Sequence, residues 1–265
     1  MRFCSIASGS SGNCVYAGSE RTHILIDAGI AGKRIEAGLR ELDLDGSDLD
    51  AILVTHEHSD HIKSIGMMAR KYHVPVYMTG GTADVLMRNG VLGRMPEGLI
   101  TEIREDEPFE IGDLTVCPFT IPHDAAQPVG YRIGSSRGTV GIATDLGKYT
   151  GYIIDNLKGL DALLIEANHD INMLQYGRYP YPLKQRILGD RGHLSNDDAG
   201  RMLCELLHDD IKGVLLGHLS KENNFEQLAF ETVCGEVTMG DNPSRASDFN
   251  IQVASREHMS EVIEF

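Results

Sequence analysis

Short apolar runs alternate with amphipathic stretches along the whole chain. Residues 2–6, 13–17 and 22–27 read as short strands separated by Gly and Ser turns. Residues 51–55 form the continuous apolar run expected of a strand buried on both faces. Over 61–72, Ile62, Ile65, Met68, Ala69 and Tyr72 recur at helical spacing and predict one helix. A strand at 74–79, a helix at 82–88 and strands at 100–104, 114–121, 129–134 and 139–144 follow. The second half predicts a strand at 162–166, a helix at 196–207 capped by Asn196, and a strand at 213–216. A final strand pair is expected around 236–239 and 249–254. Many neighbouring strands have hairpin-sized links, which favours mixed sheets flanked by helices over an all-parallel doubly wound sheet. No repeat, low-complexity tract or linker divides the pattern, so one domain over residues 1–265 is expected.

The 265 residues are enough to bury a substantial core, and 42% hydrophobic with 24% charged residues is ordinary for a soluble globular chain. No run approaches the roughly 20 apolar residues of a membrane span, and the first residues lack a signal peptide's apolar stretch. The five cysteines form no CxxC pair, which argues against both a disulfide framework and a thiolate zinc site. A reduced, cytoplasmic protein is expected. A net charge of −15 argues against loose polyanion binding over the whole surface. A basic stretch of Arg178, Lys184, Arg186 and Arg191 interrupts that acidity, with Tyr176, Tyr179 and Tyr181 among the cations.

Candidate chemistry concentrates in Thr55-His56-Glu57-His58-Ser59-Asp60-His61. Three imidazoles and a carboxylate of this kind bind divalent metals of intermediate hardness. Four more polar residues stand just past apolar runs: Asp27, His123, Asp145 and His218. Singly each reads as a turn former or surface residue; together they place ligand-type groups at one edge of a sheet.

At these residues the chain resembles the metallo-β-lactamase superfamily, whose HxHxDH pattern is followed by a distant His, a bridging Asp or Cys, and a last His. The resemblance implies an α+β fold, an αββα four-layer sandwich, carrying a dinuclear site. His56, His58 and His123 would hold one divalent ion, and Asp60, His61 and His218 the other. Asp145 would bridge them and Asp27 would orient a ligand from behind. A carboxylate in place of a bridging Cys makes both sites all nitrogen and oxygen, compatible with zinc, manganese or iron.

Glu166-Ala167-Asn168-His169 and Gly192-His193-Leu194-Ser195 resemble the Glu and His pairing of tRNase Z-like phosphodiesterases. There the Glu orients a His that protonates the leaving oxygen, roles that fall here to Glu166 and His193. The motifs Ala7-Ser8-Gly9-Ser10-Ser11-Gly12-Asn13, Glu166–Asp170, Gly192–Asn196 and His218-Leu219-Ser220-Lys221-Glu222-Asn223-Asn224 are similar to the YycJ (WalJ) family. That family is associated with 5′→3′ DNA exonuclease activity. The expected reaction uses water activated between two metals, with Asp60 as proton acceptor. His169, Lys221, Asn223, Asn224, Lys184 and Arg186 are candidate contacts to substrate phosphates. Nucleic acid ends, DNA before RNA, are the expected partner, and no membrane is.

Other readings share the fold. A metallo-hydrolase of a small ester, thioester or cyclic phosphodiester would use the same metal chemistry. A glyoxalase II-type enzyme would also carry a helical C-terminal domain, where this tail reads as strand-rich. A redox di-iron protein would typically have Glu at His58 and a flavin domain. A non-catalytic metal-binding protein would have no need of every ligand. The opening Gly/Ser loop lacks the Lys and spacing of a P-loop and reads as a tight turn between strands.

Overall fold

The computed structural model describes residues 1–240 and 243–265. Among these, two seven-stranded sheets pack face to face with helices on their outer surfaces. The first sheet orders β1 (Arg2–Ala7), β2 (Cys14–Gly18), β3 (His23–Ile26), β4 (Ala51–Leu53), β5 (Val76–Thr79) and β6 (Ile100–Ile103) side by side. The second orders β7 (Phe109–Ile111), β8 (Leu114–Thr120), β9 (Val129–Gly134), β10 (Thr139–Ala143), β11 (Ala162–Glu166), β12 (Gly213–Gly217) and β13 (Ile251–Val253). A short strand, β14 (Ile263–Glu264), returns to the first sheet and pairs antiparallel with β1. Both sheets are mixed: β3 to β6 and β10 to β13 run parallel, and the hairpin-linked strands antiparallel.

Strand alternation decides which layer each side chain joins. Leu25 and Ile52 pack outward under α1 (Gly32–Glu41), α2 (Ser59–Ile62), α3 (Ile65–Tyr72) and α4 (Gly80–Asn89). Ile24, Ile26, Ala51 and Leu53 turn the other way and meet Val116, Tyr131, Ile142, Leu164 and Leu215 between the sheets. Leu163, Ile165, Val214 and Leu216 pack outward on the far side. Their cover comes from α5 (Gly151–Leu157), α8 (Asn196–Leu206) and α9 (Glu226–Met239). The four layers are helix, sheet, sheet, helix. Burial on both faces is why these strands are apolar at nearly every position.

The remaining helices, α6 (Ile171–Tyr176) and α7 (Tyr181–Leu188), occupy the basic stretch that reads as a surface loop in the sequence. Three other expectations change. The helix expected at 61–72 is split, because the Ser64 amide donates to Ala28 O (2.8 Å) and its hydroxyl to Ile30 O (2.6 Å). The strand expected at 236–239 is the last turn of α9, where Ala229, Val233 and Val237 form a buried helical row. Short β-branched runs of this kind do not distinguish helix from strand; packing against α8 does. The tail therefore carries one long helix. Finally, Ser195 rather than Asn196 caps α8, its hydroxyl accepting from Asp198 N at 3.1 Å. Asn196 is buried in the first turn and donates to Asn224 Oδ1 instead.

The inner faces are also joined by hydrogen bonds at the edge that carries the histidines. Val129 N donates to Thr55 O at 3.0 Å, and the buried Tyr131 hydroxyl donates to Val54 O at 2.7 Å. Both clamp the start of the 55–61 run onto the opposite sheet. Tyr131→Phe leaves the Val54 carbonyl without its partner and is expected to cost about 1–2 kcal/mol in urea unfolding. A change of under about 0.3 kcal/mol would show that this clamp contributes nothing net.

Candidate active site

Strand direction gathers the polar residues. The parallel pairs β3–β4 and β10–β11–β12 end on the same side, and Asp27, Thr55, Asp145 and His218 lie just beyond those ends, with Glu166 the last residue of β11. His123 follows β8, which runs in the same direction as β10. Asp27, Asp145 and His218 adopt left-handed backbone, with φ of 62°, 62° and 55°. For residues with a Cβ this conformation costs about 1–3 kcal/mol each, and it persists where surrounding contacts over-determine it. Here it turns the chain sharply at three strand ends. The 58–61 turn is seated by Gly29, whose backbone leaves no room for a side chain: a methyl there would lie 1.6 Å from Asp60 O.

The side chains form two adjoining clusters. In one, His58 Nδ1 lies 3.0 Å from His56 Nε2 and 3.2 Å from His123 Nε2. In the other, Asp60 Oδ2 lies 3.4 Å from His61 Nε2 and 3.3 Å from His218 Nε2. Asp145 stands between them. Its Oδ2 is 3.3 Å from His61 Nε2, and its Oδ1 is 3.5 Å from His218 Nε2 and 3.6 Å from His123 Nε2. Such spacings match the ~3.3 Å that separates donor atoms around a tetrahedral ion with bonds near 2.05 Å. Asp145 Oδ2 is buried and makes no hydrogen bond of its own. An acceptor so isolated, amid nitrogens that face it, fits a divalent cation.

A second layer fixes the rings. Asp27 Oδ2 accepts from His61 Nδ1 at 2.7 Å, and both Asp27 oxygens accept from Thr55 at 2.8 Å. His123 Nδ1 donates to Gly192 O at 3.1 Å. Glu166 is fully buried, and its Oε1 accepts from His193 Nδ1 at 2.8 Å and His218 Nδ1 at 2.9 Å. Its Oε2 accepts from Leu146 N and Leu194 N. With Nδ1 so engaged in His61, His123 and His218, their Nε2 faces the clusters, the arrangement that orients metal-binding imidazoles, whereas His58 turns Nδ1 inward.

The charges follow from this packing. Burial and the neighbouring imidazoles His61, His123 and His58 hold His56 well below the usual imidazole range, and burial likewise lowers His123. Burial also opposes charge on His218, yet Asp145, Asp60 and Glu166 overcome it and push it up to about 10. His61 is raised in the same way by Asp145 and Asp27. For His193, burial works against the proton, and Glu166 at 2.8 Å outweighs it, giving a raised value. Burial tends to neutralise Glu166, but His193 and His218 hold its carboxyl below the ordinary range.

A cavity of about 360 Å³ opens over the clusters, with His58, Asp60, Asp145, His193 and His218 in its wall. Of the candidate phosphate contacts, Arg186 lines it, and its guanidinium is paired with Asp124. Lys184 instead donates to Gln175 O and Gly177 O at the end of α6. Asn224 is buried, its amide donating to Ala167 O, Asn168 O and Asn196 Oδ1. Asn223 is buried against Ser220. His169 is buried, and burial lowers it to about 4. Asn223 and Asn224 thus hold neighbouring loops together, Lys184 has its ammonium on two carbonyls, and among the described residues neither ring nitrogen of His169 makes a hydrogen bond. Lys221 is exposed beside a second cavity. Sequence reasoning overlooked Ser8, Asn13 and Asn168. Ser8 Oγ accepts from His218 N at 2.8 Å, Asn13 N donates to Asp60 O at 2.8 Å, and Asn168 Nδ2 donates to His218 O at 2.8 Å. The Gly/Ser loop is thus both the expected turn and a support for the site, a role that motif spacing alone does not reveal.

Residues 22–218 match the family described as Beta-lactamase superfamily domain. The chain is 40% identical over 235 residues to exodeoxyribonuclease YycJ of Bacillus anthracis, covering 86% of each protein. It is also 40% identical over 247 residues to exodeoxyribonuclease WalJ of Streptococcus pneumoniae serotype 2 (strain D39), covering 91% of this chain and 90% of the relative. Zn(2+)-bound PqqB from Methylobacterium extorquens shares the fold, with a TM-score of 0.73 and 15% identity over 98% of this chain and all of that one. This chain belongs to the beta-lactamase superfamily and, within it, to the YycJ/WalJ family of metallo-β-lactamase-fold hydrolases.

Proposed function

We propose that this protein is a metal-dependent exodeoxyribonuclease that cleaves phosphodiester bonds from a strand end. The relatives named exodeoxyribonuclease support DNA as substrate, and the sequence resemblance supports 5′→3′ polarity. The observation that carries the reading is the buried Glu166 at 2.8 Å from His193, with His193 in the wall of the cavity over the clusters. A thioester expels a thiolate with little need of a positioned acid, whereas expelling a sugar alkoxide from a phosphodiester calls for one. A cytoplasmic setting belongs to the same proposal, supported by five free cysteines. Among the described residues no helix is long and apolar enough to cross a membrane.

In this reading His56, His58 and His123 would hold one divalent ion and Asp60, His61 and His218 a second, and Asp145 would be available to both. Zinc and manganese both suit the donor set, and iron is compatible. When bound, the ions supply Lewis acidity toward phosphate oxygens and acidify water. The chain's own residues do the rest. Asp27 and Glu166 hold His61 and His218 with Nε2 inward. Asp60, exposed to the cavity on one side, is placed to accept a proton from the attacking water. His193 keeps a proton through its Nδ1 bond to Glu166 and presents Nε2 as donor to the leaving oxygen.

Digestion of end-labelled DNA, with a thioester and bis(p-nitrophenyl) phosphate as controls, tests the activity; DNA left intact while a thioester is cleaved would sink it. Three finer outcomes are expected. His193→Ala should lower kcat on DNA by about 10²- to 10⁴-fold while affecting bis(p-nitrophenyl) phosphate far less, because nitrophenolate leaves without a proton. Equal losses would remove His193 from the acid role. In Glu166→Gln, burial is no longer countered by the carboxylate, so His193 loses its proton at lower pH. The alkaline limb of kcat should then move toward acid, and an unmoved limb would contradict the pairing. Because His218 and His61 are raised in the metal-free protein, metal loading should release protons and weaken as pH falls. Calorimetry in buffers of different ionisation enthalpy reads this directly, and loading without proton release at pH 7 would contradict it.

A further inference from the structure

A second cavity of about 550 Å³ adjoins the metal edge, and nothing in the reaction above uses it. Leu219, Lys221, Phe225, Gln227 and Arg256 are among its wall residues. Leu219 directly follows the metal-edge residue His218, so the two cavities share a stretch of backbone. The Arg256 guanidinium straddles the boundary: it donates to Leu219 O and, at 3.5 Å, to Ser10 Oγ, and Ser10 lines the metal cavity. Gly9 makes room for it, since a methyl there would lie 2.8 Å from Arg256 Cγ.

The chemistry of this wall is distinctive. Arg21, Arg88, Arg137, Arg186 and Arg201 each pair with a carboxylate. Among the described residues Arg256, like Arg2, Arg34, Arg70 and Arg132, is instead engaged by backbone carbonyls without such a pair. Glu226 lines the same cavity and attracts Arg256 without closing an ion pair. Lys221 is exposed nearby, and the Phe225 ring is 54% exposed, a large apolar face left in solvent beside two cations. In a chain of net charge −15, the Arg256 and Lys221 cations and the exposed Phe225 ring, on a wall that begins one residue beyond His218, suit an anionic, flat occupant.

We propose that this cavity is a nucleotide subsite. It takes the nucleotide next to the scissile phosphodiester, with its phosphate on Arg256 and Lys221 and its base against Phe225. The proposal rests on the exodeoxyribonuclease reading and identifies how that site holds its strand. Base stacking on one aromatic ring is tolerant of sequence, as trimming an end of any sequence requires. A volume of several hundred cubic ångströms suits a single small-molecule-sized group.

The test compares wild type, Phe225→Ala and Arg256→Gln on single-stranded DNA and on bis(p-nitrophenyl) phosphate, which has no second nucleotide. KM for DNA should rise about tenfold in each variant with kcat kept, the loss on DNA exceeding that on the small ester by a similar factor. In Arg256→Gln the logarithmic salt dependence of DNA binding should flatten by about 0.7. A single abasic nucleotide walked inward from the end should impair wild type at one position and Phe225→Ala at none. Phe225 is on the surface, so its variant remains informative if Arg256→Gln misfolds. Unchanged KM in Phe225→Ala, or equal losses on the two substrates, overturns the subsite. Wild type that cleaves bis(p-nitrophenyl) phosphate but no DNA would instead overturn the nuclease reading, and the subsite with it.

Discussion

Buried like charges repel, and the whole sheet edge is organised around that constraint. Asp27, Asp145 and Glu166 are all withdrawn from water, with Asp60 beside them. An isolated buried carboxylate is untenable, so each must be met by a donor or a cation. Thr55 and His61 answer Asp27; two backbone amides and two imidazoles answer Glu166. Asp145 alone keeps a buried oxygen with no hydrogen bond, and His56, His61, His123 and His218 turn ring nitrogens toward its carboxylate. The excess negative charge at this edge is what makes it a trap for dications.

The scaffold exists to hold those charges against their mutual repulsion. Two sheets with three apolar layers give strand ends that cannot drift, because each strand is gripped on both faces. The left-handed turns at Asp27, Asp145 and His218 spend part of that rigidity at the strand ends. The Tyr131 and Val129 bonds carry the same grip across the interface to the histidine loop. Glu166 then couples the two functions of the edge, since one carboxylate oxygen orients both a histidine of the metal cluster and the histidine set apart from it.

How much of this was legible in sequence depends on the range of the interaction that decides it. The HxHxDH run, Asp27, His123, Asp145 and His218 were visible because strand ends and ligand chemistry are local signals, and the structure brings all of them together. The αββα layering followed from buried-strand patterning and resemblance. Residues 236–239 misled because a β-branched turn of helix looks like a strand until its partner helix is known. Asn224 and Lys184 misled for a related reason: their polar atoms are engaged by backbone carbonyls distant or hidden in sequence. Arg256 and Phe225 gave no motif at all, since only folding brings residue 256 beside residues 10 and 219.

The position of β14 has a bearing on the order in which the protein matures. Every residue of the metal clusters precedes β13, Arg256 and β14 along the chain, yet β14 supplies the outer partner of β1, the strand that leads into the Gly/Ser loop. During synthesis the ribosome therefore releases a complete set of metal donors before it releases the strand that closes the first sheet. In a nascent chain the histidines and acids are all present while β1, which leads into the loop at Ser8–Asn13, still lacks its outer partner. β14 and the wall that holds Arg256 are thus made only after every donor of the clusters, so the donor set is synthesised before the strand that pairs with β1.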